Sequence, residues 1–411
     1  MSTRKELNAR APRCKDARTP PHASLLVSIS YLVFLAVGLY AGLAGVVWPS
    51  MRNQFQIDDD AYGVLALVTT AGSLLVIANV GRLIRRVGTG PLLALGCALG
   101  GLGYVGAALS PSWPLLIGLA LVASIGTATV IPTLNTYFAM HQSAGRTTWL
   151  NAFFGLGATI SPPLLSVLLG SGGSWRWGYG AVAGVYLALA VIFGLTSRRW
   201  PQPLPTVEKA GESAATPRRS TLALPAVWLS VLLFCTFTGL ETSAGQWGYT
   251  FFTEGLGIAP QAAGTWAGAF WASMTVGRIV LGMVVDRLPT EPLVRAAMLG
   301  AALGTALFWW APLPWVALVG MILTGLSLSP LFPVLTSATP QRLGAEHATD
   351  AIGYQMTAVR LGLAAFPALG GLLIARLGVA SLGPYLSITA IVALTLNELT
   401  IRAAAAARSQ S

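Results

Sequence analysis

The sequence is short of charge. Of its 411 residues only 9% are Asp, Glu, Lys or Arg, while 54% are hydrophobic. Soluble domains carry about 25% charged residues, so this chain cannot coat a water-exposed surface of its size, and an ordinary soluble globular fold is excluded. Cysteine is scarce too: Cys14, Cys97 and Cys235 sit in the N-terminal tail and in two apolar runs. No two share a loop, which argues against a disulfide framework. The three histidines, His22, His141 and His347, have neither metal-ligand spacing nor a nucleophile beside them. No Gly-x4-Gly-Lys-Ser/Thr loop is present, so nothing points to ATP as an energy source. The expectation is a chain that is not an enzyme and needs no cofactor or metal.

What is present is apolar sequence gathered into long runs, with a mean hydropathy of +0.68. Twelve runs reach the roughly 20 residues needed to cross about 30 Å of hydrocarbon. They lie near 25–49, 61–82, 90–109, 114–138, 148–169, 177–196, 224–249, 261–284, 292–310, 314–337, 350–373 and 381–400. Spanning segments in lipid must satisfy their own backbone groups, so the fold class is all-α: a polytopic membrane protein of twelve helices, with the lipid bilayer as its main partner. The first run is too long for a signal-peptide core and reads as an uncleaved span.

A net charge of +11 raises the question of nucleic acid. The basic residues are not clustered with aromatics on a soluble module; they punctuate the apolar runs, so nucleic acid is not expected. With both termini inside, only Arg52, Arg176 and Arg376 of the 25 Lys and Arg fall outside, Arg278 and Arg360 fall within runs, and all others fall inside. This is the positive-inside pattern. It places residues 1–24 and 401–411 as cytoplasmic tails of a protein of the cell membrane.

The segment 198–222, with Pro201, Pro203 and Pro205, reads as a flexible cytoplasmic linker. It separates a six-helix bundle at 25–197 from another at 223–400. The two halves superpose in sequence. At an offset of 201, Gly38-Leu39 falls on Gly239-Leu240, Gly63 on Gly264, Gly81 on Gly282 and Arg86 on Arg287. At 205, Gly157 to Pro162 falls on Gly362 to Pro367. Two pseudo-symmetric six-helix repeats predict a solute site at their interface near mid-membrane, and a monomer suffices for it.

Gly81-Arg82-Leu83-Ile84-Arg85-Arg86-Val87-Gly88 resembles the loop motif of the major facilitator superfamily, and Gly282 to Arg287 resembles its second copy. Ser161-Pro162-Pro163 in the fifth run echoes that family's glycine–proline signature. Gly239-Leu240-Glu241 with Gly245-Gln246-Trp247 resembles the fucose-permease-like branch. The resemblance covers residues 25–400 and implies the major facilitator fold and secondary transport. The sequence departs from it in two places. Arg85 stands where the family has an acid, and no carboxylate occupies the first or fourth run, where the fucose permease uses acids in its N-terminal half. The charge reversal suggests two cytoplasmic latches, Arg85 with Asp350 and Asp286 with Arg146.

Ionisable groups inside the membrane cost about 2.5–3.5 kcal/mol each at a helix centre. Glu241 and Arg360 lie near the middle of the seventh and eleventh runs. The expected coupling pair is Glu241, binding a proton or polar solute, with Arg360 tuning its proton affinity or holding an anionic group; a permanent structural pair is the other reading. Tyr40 falls on Glu241 in the repeat. With Asn135, Asn151, Gln246, Trp271, Tyr354 and Gln355 it forms the expected solute-binding set; packing is the other reading for Tyr40, and interhelical bonding is the favoured one for Asn135, Asn151, Tyr354 and Gln355 each taken alone. Trp247, near the end of its run, reads as an interfacial belt residue together with Trp309, Trp310 and Trp315. Glu398 and Arg402 read as an i,i+4 pair. The expected function is proton-coupled uptake of a sugar or other polar metabolite by alternating access, the partners being a small-molecule substrate and a proton. Proton-driven export of drugs or metabolites is the alternative.

Overall fold

A computed structural model describes residues 21–77, 79–142, 144–200, 221–284 and 288–408. The helices are α1 (Pro21–Phe55), α2 (Ala61–Ile77), α3 (Thr89–Leu109), α4 (Trp113–His141), α5 (Ala144–Gly170), α6 (Arg176–Thr196), α7 (Pro225–Thr250), α8 (Pro260–Val284), α9 (Thr290–Trp310), α10 (Pro314–Leu328, resuming as Leu331–Leu343), α11 (Ala345–Leu377) and α12 (Leu382–Arg408). A short amphipathic helix, Val80–Val87, follows α2, and no strand occurs among the described residues. The all-α fold class stands. Among the described residues ten helices are long and apolar enough to cross a membrane, or eleven with α2 and Val80–Val87 taken as one span. The run at 261–284 is helical as α8 and holds the place between α7 and α9.

Local sequence explains where the helices start and stop. Pro114, Pro225 and Pro314 occupy first-turn positions, where a missing N–H costs nothing. Gly344 and Gly378 end α10 and α11 with φ of 91° and 82°, a conformation that a Cβ disfavours. Because the chain reverses at each short connection, odd helices run from the proximal end, where α1 begins and α12 finishes, to the distal end. Even helices run back.

The packing repeats with the sequence. In the first six helices α1 packs on α5, α3 on α4 and α6, and α2 on α4; in the last six α7 packs on α11, α9 on α10 and α12, and α8 on α10. The two sets meet along α5–α8, α2–α11 and α1–α7. The glycines matched in sequence sit at matched crossings. A Cβ on Gly157 would run into the α1 backbone at Leu35 and Leu39, and one on Gly362 into the α7 backbone at Cys235. Gly63 faces Ala368 across the α2–α11 seam, and Gly264 faces Ser166 and Pro162 across α5–α8. Without a hydrophobic force between helices in lipid, close backbone approach at small residues supplies the cohesion. Of the expected linker, residues 201–220 lie outside the described residues, as do the first twenty of the N-terminal tail.

Gly157→Val is expected to destabilise the protein by about 1–3 kcal/mol through overpacking, lowering the melting temperature in detergent. Gly184→Ala, where a Cβ meets nothing within 4 Å, should leave it unchanged. Equal melting temperatures for both variants would show that the α1–α5 crossing is looser than described.

Candidate functional site

The distal end is closed by one cation. Arg52, in the last turn of α1, bonds Asp59 in the α1–α2 connection (Nη1 to Oδ2, 2.7 Å) and Glu254 beyond α7 (Nη2 to Oε1, 2.8 Å). Trp48 Nε1 donates to the other Asp59 oxygen at 2.7 Å. Beneath this lies an aromatic plug. Trp48 and Tyr62 of the first half meet Trp247 of the second edge-to-face, with centroids 6.1 and 5.4 Å apart. Trp247 Nε1 donates to Pro367 O at 2.9 Å. Trp247 is fully buried, so its expected place in an interfacial belt is corrected: it fills the gap left by Gly370 and Gly371 of α11. Trp309, Trp310 and Trp315 are exposed, as belt residues are.

Below the plug is a central cavity of about 290 Å³. The first half supplies Tyr40, Tyr62, Tyr104 and Tyr179 with the hydroxyls of Thr69, Thr70, Ser73, Ser124 and Thr127; the second supplies Thr242, Leu363 and Arg360. The tyrosines brace one another, Tyr40 lying 4.8 Å from Tyr104 and 6.0 Å from Tyr179 between ring centroids. Toward the proximal end a larger cavity, about 630 Å³, lies between α5, α8 and α10. Its lining includes Thr148, Asn151, Arg278, Phe332 and Thr336.

Glu241 does not pair with Arg360. Its Oε1 lies 3.4 Å from Nη2 of Arg278 on α8, so the expected pair is corrected to Glu241–Arg278. The cause is helix rotation: Glu241 sits on the α8 side of α7, while its neighbour Thr242 turns to the central cavity. Arg360 lines that cavity without an ion pair or hydrogen bond to any described residue.

Of the expected solute-binding residues, Tyr40 lines the central cavity and Asn151 the proximal one. The others are placed elsewhere. Gln355 is buried, donating to Ser230 Oγ (3.2 Å) and accepting from Thr339 Oγ1 (3.1 Å), which ties α11 to α7 and α10. Trp271 is buried against Gly245 at the α7–α8 crossing. Tyr354 packs on the cluster of Ala226, Val227, Leu343 and Ala351. Gln246 is buried and its Nε2 has no partner, but it lines neither cavity, and Asn135 is exposed away from both. The Glu398 carboxylate is taken by Arg295 through two bonds of 2.7 and 2.8 Å, in place of the expected Arg402 pairing. Arg85 and Asp350 have no ion pair among the described residues. Asp286 lies outside those residues, and Arg146 Nη1 donates to Gln142 at 2.7 Å. Sequence reasoning missed Arg52, Asp59 and Glu254 as a cluster, Arg278 as the partner of Glu241, and three of the four tyrosines. Only Arg278 carried a signal, as an isolated cation inside an apolar run.

Two matched sets of six helices thus close together at one end over a polar cavity. A family model for the Major Facilitator Superfamily matches residues 30–367, with a further match over 248–404. The chain belongs to that superfamily. It is 22% identical over 304 residues to Bypass of stop codon protein 6 of Saccharomyces cerevisiae (66% of this chain). It is also 22% identical over 237 residues to the uncharacterized MFS-type transporter YfkL of Bacillus subtilis (57% of this chain). Each alignment spans 59% of the relative's length. Among solved structures, a point mutant of the nucleoside transporter NupG superposes with a TM-score of 0.76 at 14% identity, covering 92% of this chain and 99% of that one. A bacterial homologue of the human lysosomal transporter Spinster gives 0.71 at 14% (94% and 97%). A point mutant of the E. coli fucose:proton symporter FucP gives 0.61 at 15% (92% and 98%). At these identities the likeness shows the fold.

Removing Arg52 leaves Asp59 buried without its cation, a loss on the order of 3 kcal/mol borne by the distally closed state alone. Arg52→Gln should therefore raise the labelling rate of a cysteine placed at Thr69, by a membrane-impermeant thiol reagent applied at the distal side, severalfold. An unchanged rate would mean that the aromatic plug closes this end without the cation.

Proposed function

We propose that the protein is a proton-coupled secondary transporter that takes up a small polar solute across the cell membrane, with both termini cytoplasmic. In this reading the distal end is extracellular, and the described conformation is closed outside and open inside. The excess of Lys and Arg on the proximal side supports that orientation. The Spinster homologue that shares the fold is in an inward-facing conformation. The observation that carries the reading is the pair of neighbours on α7: Glu241 against Arg278, and Thr242 in the central cavity. One helix thus joins a titratable carboxylate to the solute space. A single 3.4 Å contact holds Glu241. Protonating it leaves Arg278 free at the wall of the proximal cavity, and rocking of the halves can follow. A hydroxylated solute suits the tyrosine and hydroxyl lining, and the fucose:proton and nucleoside transporters that share the fold are named for solutes of that kind. Export of lipophilic compounds is favoured by one observation, the apolar Ile279, Phe332 and Pro333 in the proximal cavity.

In the oppositely closed state Arg85 with Asp350, and Asp286 with Arg146, act as the proximal latches. Arg85→Asp and Asp350→Arg are each expected to slow transport, and their combination to restore it. Failure of the double reversal to rescue the rate excludes that pairing.

For the coupling itself, proteoliposomes carrying an internal pH dye should acidify when solute is added outside under an inward proton gradient. Glu241→Gln should abolish solute-linked acidification and uphill accumulation while retaining solute exchange across the membrane. Undiminished accumulation by the variant would remove Glu241 from the coupling step.

A further inference from the structure

Arg360 is the unbalanced charge of the central cavity. It stands near the middle of α11 and lines the cavity beside Thr242, and no carboxylate shares that lining. The acids of the described bundle are committed elsewhere or lie at its ends: Glu241 to Arg278, Asp59 and Glu254 to Arg52, Glu291 to Arg342 and Glu398 to Arg295, with Glu346 and Asp350 at the start of α11 and Asp58 and Asp60 in the α1–α2 connection. A guanidinium kept in a membrane without a protein counter-ion faces a water-filled space or a ligand. It presents N–H donors in a planar fork that matches a carboxylate.

Five of the remaining polar groups have the opposite character. Thr69, Ser73, Ser124, Thr127 and Thr242 each donate their hydroxyl hydrogen to a carbonyl of their own helix. What these side chains have left to offer is acceptor lone pairs. The cavity therefore pairs a single cation with these five acceptors, beside the hydroxyls of Tyr40, Tyr62, Tyr104, Tyr179 and Thr70. At about 290 Å³ it lies at the small end of ligand pockets, about 300–1,000 Å³.

We infer that the solute of this cavity is a small hydroxylated monocarboxylate, its carboxylate on Arg360 and its hydroxyl groups donating to the threonine and serine rim. The inference rests on the proposed reading of the cavity as the solute path. One positive charge matches one negative charge, which sets a monocarboxylate apart from a phosphate ester or a dicarboxylate. The carboxylate supplies the counter-charge that the protein lacks, so the loaded cavity is neutral when the halves rock.

The test is calorimetric titration of the purified full chain with matched pairs that differ only in charge, such as gluconate with glucitol and glycerate with glycerol, extended to other acids of similar size. At least one acid is expected to bind about tenfold or more tightly than its neutral partner, as a charge-assisted bond in a secluded site allows. Arg360→Gln should erase that preference, and Arg360→Lys should keep part of it. The wild-type comparison needs no variant to fold. No acid binding more tightly than its neutral partner, or a preference that survives Arg360→Gln, overturns the assignment. A separate arm tests the path: a bulky thiol reagent on a cysteine at Ser124 should block uptake. If neutral polyols are carried and this block stops them, the anion assignment falls and the transport reading stands. If uptake survives the block, the path reading falls as well, and the inference with it.

Discussion

Hydrocarbon cannot solvate a polar group, and the architecture follows from that constraint. Backbone amides are satisfied within helices. Helices gain no hydrophobic force against lipid tails, so they cohere where small residues let backbones touch. The crossings of α1 with α5 and of α7 with α11 are built this way, around Gly157 and Gly362. Charges follow the same logic: within the bundle they are paired or open to a cavity, as Glu241, Arg278 and Arg360 are.

Between the two halves the contacts differ in kind from those within them. The α5–α8 and α2–α11 seams carry small residues facing one another, which permits sliding with little loss of packing. The distal closure is instead specific, with Arg52 drawing Asp59 and Glu254 together above Trp48 and Trp247. A smooth seam with a specific clamp at one end is suited to two discrete states. Arg360, the cation of the central cavity, lies on a seam helix, so movement of α11 against α2 changes its surroundings directly.

Much of this was legible in the sequence because each spanning run announces itself without reference to any other. The repeat was legible too, since the glycines at matched crossings must be small in both halves. What sequence could not supply was which way each helix faces. Glu241 and Arg360 are both mid-span ions, and nothing in their spacing says that one turns to α8 and the other to the first half. Arg278 was visible as a charge, but its partner lies 37 residues away on another helix. Trp247 has the position of a belt residue, and only the contact with Gly370 and Gly371 makes it a buried plug. Glu398 shows a local rule losing to a tertiary contact: the two-bond grip of Arg295 prevails over an exposed Arg402 one turn away. The tyrosines of the cavity carried no signal, because a phenol in an apolar run looks the same whether it packs, anchors at an interface or lines a cavity.

The claim on which the rest stands is that the two halves rock about the central cavity, so that one end opens as the other closes. Its most direct test is a pair of distance measurements by pulsed electron resonance on a cysteine-free background. One pair of spin labels goes at the distal end, at Asn53 and Ala259, and the other at the proximal end, at His141 and Gln341; all four residues are exposed. On breaking the distal clamp with Arg52→Gln, the distal distance should lengthen and the proximal one shorten in the same sample. Distances that stay fixed, or that lengthen together, would contradict the account.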